Sequence, residues 1–181
     1  ENKRTAEGPV RVIFAGSLYS KTEWNALLNA LRSVNWIVEG RAVELNFMGT
    51  FPLEGANRTG NVVMLGHQPF EQAMAILARM DIGYLPYWFD KQHEIVARTS
   101  FPGKMSSYAA AGLAVFHHGP SYTEVTEFLT HYPFGIACAS LQPTEIIEKL
   151  AELINISSTD KFRHARSLAL QNELSASAMA P

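Results

Sequence analysis

Val10-Arg11-Val12-Ile13-Phe14-Ala15-Gly16-Ser17-Leu18-Tyr19-Ser20-Lys21 reads as a strand, a glycine turn and the opening of a helix. The run from Val10 to Ala15 is rich in β-branched and aromatic side chains and nearly continuous in its apolar character, the pattern of a parallel strand covered on both faces. Gly16 ends it. Ser20 and Glu23 then stand at capping-box spacing, and Trp24, Leu27, Leu28, Leu31 and Val34 recur at helical intervals. A doubly covered strand leading at once into an amphipathic helix is the first half of a βαβ unit.

The same alternation continues along the chain. Apolar runs at 43–48, 62–65, 82–86, 113–117 and 135–139 predict five more strands. Between them, Phe70, Ala73, Ile76, Leu77 and Met80 form a helical stripe, and 104–111 reads as a helix of small residues ended by Gly112. Further helices are expected over 124–130, 144–154 and 159–174. Strands alternating with helices through short connections predict an α/β fold: a Rossmann-like, doubly wound, mainly parallel six-stranded sheet with helices on both faces. Such a sheet binds ligands beyond the carboxyl ends of its strands, so functional residues belong just after each strand. The stretch 49–60, with Pro52, Gly55 and Asn57, reads as a mobile loop, and 1–9 and 175–181 as flexible ends of a single domain over 1–181.

Composition narrows the functional classes. The chain has 181 residues, 47% hydrophobic and 18% charged, enough to bury one sizeable core. A net charge of −2 excludes the overall basic field that drives nucleic-acid binding. The single cysteine, Cys138, allows no internal disulfide and sits in an apolar run, which predicts a buried, inert thiol and a cytoplasmic setting. No run is long enough to span a membrane and no secretory leader is evident. Beginning at Glu1 with a strand close behind, the chain is expected to be a piece of a longer protein.

Three junctions can carry chemistry. Gly16-Ser17-Leu18-Tyr19-Ser20-Lys21 combines a glycine, a helix start and a lysine, which favours a phosphate, although neither a complete G-x-G-x-x-G nor a Walker A pair is present. Gly66-His67-Gln68-Pro69 is read from the residues alone as a plain strand-to-helix turn. Pro86-Tyr87-Trp88-Phe89-Asp90 opens an aromatic loop expected to run to Ser100 and to form part of a binding surface. The histidines predict no metal site: His117 and His118 are neighbours in a strand and point to opposite faces, and the others are scattered.

Ser100-Phe101-Pro102-Gly103-Lys104-Met105-Ser106-Ser107-Tyr108-Ala109-Ala110-Ala111-Gly112-Leu113-Ala114-Val115 resembles the S-x-P-x-K-x-x-E-Y-x-A-x-G-x-P-V signature of the carboxyl-terminal, donor-binding domain of GT-B glycosyltransferases. Arg79-Met80-Asp81-Ile82-Gly83-Tyr84-Leu85-Pro86 and the opening Val12-Ile13-Phe14-Ala15-Gly16-Ser17 resemble further stretches of that family, in the same order. The resemblance implies a nucleotide-sugar glycosyltransferase fragment, inactive without its amino-terminal acceptor domain, in polysaccharide biosynthesis, with peripheral membrane contact through that other half. It implies a nucleoside-diphosphate sugar as substrate, no metal and no other cofactor. It places Gly16, Ser17 and Lys21 at the donor diphosphate, His67 and Gln68 at the nucleobase, Ser100, Phe101, Gly103 and Lys104 near the phosphates and sugar, and Ser107 where a glutamate holds the ribose; Tyr87, in the aromatic loop, is a further donor-binding candidate. No catalytic base is implied. The sequence departs from the family at Ser17, where an arginine is common, and at Thr99 and Ser107, where the family has two glutamates. A sugar-nucleotide 2-epimerase-like domain and a non-catalytic scaffold are the alternatives.

Overall fold

The computed structural model describes residues 8–49 and 60–174. The loop expected over 49–60, Gly49 and Gly60 apart, and the flexible ends, Gly8 and Pro9 apart, lie outside the described residues. In chain order the strands are β1 (Val10–Ala15), β2 (Ile37–Val38), β3 (Arg41–Met48), β4 (Val62–Met64), β5 (Ile82–Pro86), β6 (Ala114–His118) and β7 (Gly135–Cys138). The helices are α1 (Lys21–Ser33), α2 (Phe70–Leu77), α3 (Glu94–Thr99), α4 (Lys104–Ala110), α5 (Glu124–His131), α6 (Pro143–Ile156) and α7 (Asp160–Ala169).

β1 lies at the centre of the sheet. It pairs with β3 along its whole length, from Val10↔Val43 to Ala15↔Met48, and with β5 on its other side. β4 flanks β3, and β6 and β7 follow β5, every one of these pairs parallel. The parallel order β4-β3-β1-β5-β6-β7 is the doubly wound arrangement, and its direction reverses between β1 and β5. The six apolar runs therefore become the six parallel strands, because only strands covered on both faces can be apolar throughout. Phe14, Trp24, Phe47 and Tyr84 form one aromatic cluster under α1, with ring centroids 5.5 to 6.1 Å apart. Each such burial contributes about 1.5–3 kcal/mol, which is why the helical stripe of α1 docks here.

Four local expectations are corrected. Ser20 and Glu23 make no capping box: the Ser20 hydroxyl donates to Pro86 O at 3.1 Å, and the Glu23 carboxylate accepts from Phe89 N–H at 3.0 Å. Both side chains turn away from their own helix to hold the segment after β5. The presumed loop to Ser100 is in part helical, with a 3₁₀ turn at Lys91–His93 followed by α3. Its helicity was masked because Ile95 (77% exposed) and Val96 (45%) face outward, leaving no apolar stripe facing the core. The last helix is interrupted, α7 giving way to a π-helical turn at Leu170–Leu174. Finally, β2 is an unexpected antiparallel strand on β3, closed by a two-residue turn in which Glu39 and Gly40 have φ of 51° and 70°.

Candidate anion site at the β1–β5 switch point

β1 and β5 are paired only at Val12↔Ile82 and Ile13↔Gly83. Beyond that point Tyr108, from α4, fills the gap between them. Its hydroxyl accepts the Ala15 N–H at 3.0 Å and lies 3.3 Å from Tyr84 O and 3.4 Å from Ile13 O. Its ring lies where a side chain of residue 83 would stand, since a Cβ on Gly83 would come within 2.3 Å of it. Burial raises the Tyr108 pKa, so the phenol stays protonated and able to donate. The wedge pins α4 over the crevice.

That pinning sets Lys104, the first residue of α4, at the end of β1. Its ammonium lies 4.2 Å from the Phe14 ring centroid and 3.7 Å from where a Cβ on Gly16 would be. Gly16 has φ +112°, a conformation that disfavours side chains, and donates its N–H to Met48 O at 2.8 Å. Among the described residues the Lys104 ammonium makes no hydrogen bond or ion pair, and burial pushes its pKa down to about 8. A cation held on an aromatic face, half-desolvated and without a carboxylate, attracts an anion to the glycine turn.

The remaining expected residues divide into groups. Ser17 is exposed in the β1–α1 turn, and Lys21 opens α1. His67 is exposed and Gln68 half-buried in the turn between β4 and α2, where the Gln68 amide donates to Leu65 O at 2.6 Å. Tyr87, 7% exposed, donates to Ser100 O at 2.9 Å and accepts from the Ser100 hydroxyl at 3.3 Å, closing both ends of the excursion after β5. Burial raises the Tyr87 pKa. Gly103 precedes α4, and the Ser107 hydroxyl, one turn on, has no hydrogen-bond partner among the described residues. Thr99, one of the family's glutamate positions, donates its hydroxyl to Ile95 O at 2.9 Å within α3. Phe101 stands apart. It packs on Phe128, with centroids 5.0 Å apart, and lines a cleft of about 600 Å³ with Glu124, Glu127, Tyr132 and Glu173, whose carboxylates would repel a diphosphate.

His117 and His118 serve structure, each with both ring nitrogens engaged. His117 donates from Nδ1 to Leu85 O at 3.1 Å and meets the Thr123 hydroxyl at 2.8 Å. His118 donates from Nε2 to Ser140 O at 2.7 Å, leaving Nδ1 to accept from the Tyr84 hydroxyl at 2.8 Å. Burial pushes both pKa values down to about 4. Cys138 is buried as expected.

No family model and no curated protein matches the sequence. Among solved structures, the chain superimposes on WaaG, a glycosyltransferase involved in lipopolysaccharide biosynthesis, with a TM-score of 0.59 over 91% of its residues. The fold is glycosyltransferase-like. Identity is 15%, so the likeness is one of fold, and the chain spans 42% of the length of WaaG. Among the described residues, no helix of this glycosyltransferase-like fold is long and apolar enough to cross a membrane.

Proposed function

We propose that the chain is the donor-binding half of a nucleotide-sugar-dependent glycosyltransferase of the GT-B class. The observation that carries this reading is the Lys104 ammonium, set beside Gly16 at the topological switch point with no carboxylate among the described residues to neutralise it. In sugar transfer the bond between the anomeric carbon and the diphosphate oxygen breaks, and its electron pair stays on the diphosphate while the acceptor oxygen bonds to carbon and releases its proton. Charge grows on the leaving diphosphate, and a preorganised cation in a half-dry site stabilises that charge more than it would in water. Lys104 and the Ser17 turn that follows Gly16 meet the diphosphate, without a metal ion, and the turn at His67 and Gln68 faces the nucleobase. The acceptor comes from the other domain of a full-length protein, whose closure excludes water. The setting is the cytoplasm, in polysaccharide assembly.

Calorimetric titration with uridine, guanosine, adenosine and cytidine diphosphates tests the reading. One base is expected to bind selectively, with the others at least about tenfold weaker, the size of one lost base contact. Silence with all four overturns the donor assignment and favours the scaffold reading, for which Thr99 and Ser107 in place of carboxylates are the motive.

A further inference from the structure

Beside the glycine turn, a second group of side chains crowns the same two strands. Tyr19, from the β1–α1 turn, is 70% exposed and lies 6.5 Å from Trp88, from the segment after β5. His93 lies nearly parallel to Trp88, with centroids 4.6 Å apart and planes 13° apart. Asp90 fixes the imidazole: its carboxylate oxygens lie 2.8 and 3.0 Å from His93 Nδ1, and one also accepts the His93 N–H at 3.1 Å. Nδ1 is therefore the donor to Asp90, and Nε2 is left as an acceptor with no partner among the described residues.

This cluster is braced from beneath. Ser20 holds Pro86 O and the Glu23 carboxylate, itself 2% exposed, holds Phe89 N–H, so the two turns that carry Tyr19 and Trp88 are tied together. The Phe89 ring rests edge-on against His118, 5.8 Å away. A surface histidine, tryptophan and tyrosine need no such support to be soluble, whereas a recognition surface gains affinity from it, because less side-chain freedom is lost on binding.

We propose that Tyr19, Trp88 and His93 form a saccharide subsite. A pyranose ring has an apolar C–H face and a rim of hydroxyls that each donate and accept. The exposed Tyr19 ring, beside the half-buried Trp88–His93 stack, matches the face, and the Tyr19 hydroxyl, the Trp88 indole N–H and His93 Nε2 supply one donor-acceptor, one donor and one acceptor for the rim. The saccharide is either the sugar of a nucleotide donor, in which case the proposal rests on the donor-half reading, or a sugar unit of the acceptor.

The test uses the full 181-residue chain, its His93→Ala and Tyr19→Ala variants, and melting curves to confirm that each variant folds. Each is titrated with UDP-glucose, UDP-N-acetylglucosamine and GDP-mannose, with UDP and GDP alone, and with free glucose, N-acetylglucosamine and mannose, by calorimetry and by the His93 ring signals in NMR. The proposal expects at least one saccharide ligand to move the His93 signals and both variants to bind that ligand about tenfold more weakly, the loss of one hydrogen bond or ring contact. Response to nucleotide sugars but not to free sugars assigns the donor sugar; response to free sugars assigns the acceptor. Unchanged affinities in both variants, or His93 signals that no saccharide moves, overturn the subsite. A chain that binds UDP or GDP with His93 unresponsive loses the subsite and keeps the donor reading, and one that ignores every nucleotide while His93 responds to free sugars does the reverse.

Discussion

Lys104 shows how one residue can be costly to the fold and useful to the site. Its pKa, pushed down to about 8 by burial, means that the charged form is disfavoured in the folded protein relative to water. A diphosphate beside the ammonium raises that pKa again, so binding above pH 8 must take up a proton. Affinity is therefore full below pH 8 and falls by up to about tenfold per pH unit above it, until the pKa of the complex is reached. Calorimetry at pH 9 in buffers of different ionisation heat measures the uptake directly. In Lys104→Ala, diphosphate affinity is expected to drop roughly ten- to a hundredfold, the worth of a charge-assisted hydrogen bond, and the proton uptake is expected to vanish. Equal affinity at pH 7 and pH 9 would remove Lys104 from the site.

At the scale of elements, the decisive contact is between α4 and β5. Tyr108 can stand between the diverging strands only because residue 83 has no side chain, so Gly83 and Tyr108 act as one unit although 25 positions apart in the chain. Gly83→Ala puts a methyl group 2.3 Å from the ring, and the rigid strand on one side and the hydrogen-bonded phenol on the other leave little room to yield. The expected cost is about 1–3 kcal/mol in urea unfolding, as for overpacked cores, together with weaker diphosphate binding as Lys104 moves with its helix. The variant Tyr108→Phe keeps the ring but strips Ala15 N–H of its acceptor, at about 1–2 kcal/mol. If Gly83→Ala is as stable as the parent, the wedge does not hold α4 in place.

At the scale of the whole molecule, a strongly pH-sensitive pair lies beneath the site. His117 and His118 are held neutral, with pKa values near 4 against about 6.5 in an unfolded chain, so between those limits the unfolded state binds more protons. Stability is fully present above pH 6.5 and is lost as pH falls toward 4, by about 1.4 kcal/mol per pH unit for each histidine. Glu23 acts in the opposite sense: burial raises its pKa, so its cost is greatest at neutral pH and eases as acid protonates it. Urea unfolding at pH 7, 6 and 5 should show a steady loss, and a flat profile would mean that the two imidazoles are open to water in the folded state.

The parallel strands and most helices were legible in the chain because burial on both faces leaves an unmistakable apolar run, and an amphipathic helix repeats its stripe. The Gly16 turn and Lys104 could be named from local pattern and family resemblance. Their approach could not, because it depends on Tyr108 meeting Gly83 and on the β1–β5 gap, contacts between residues far apart in sequence. Ser20 and Glu23 make the same point from the other side: identical residues at capping spacing served tertiary partners, Pro86 and Phe89, once packing brought stronger acceptors and donors within reach. Periodicity along a chain encodes which surface each element must bury, whereas the partner of a buried polar group is chosen only when distant segments meet, since its desolvation is compensated by whichever group then stands within hydrogen-bonding distance.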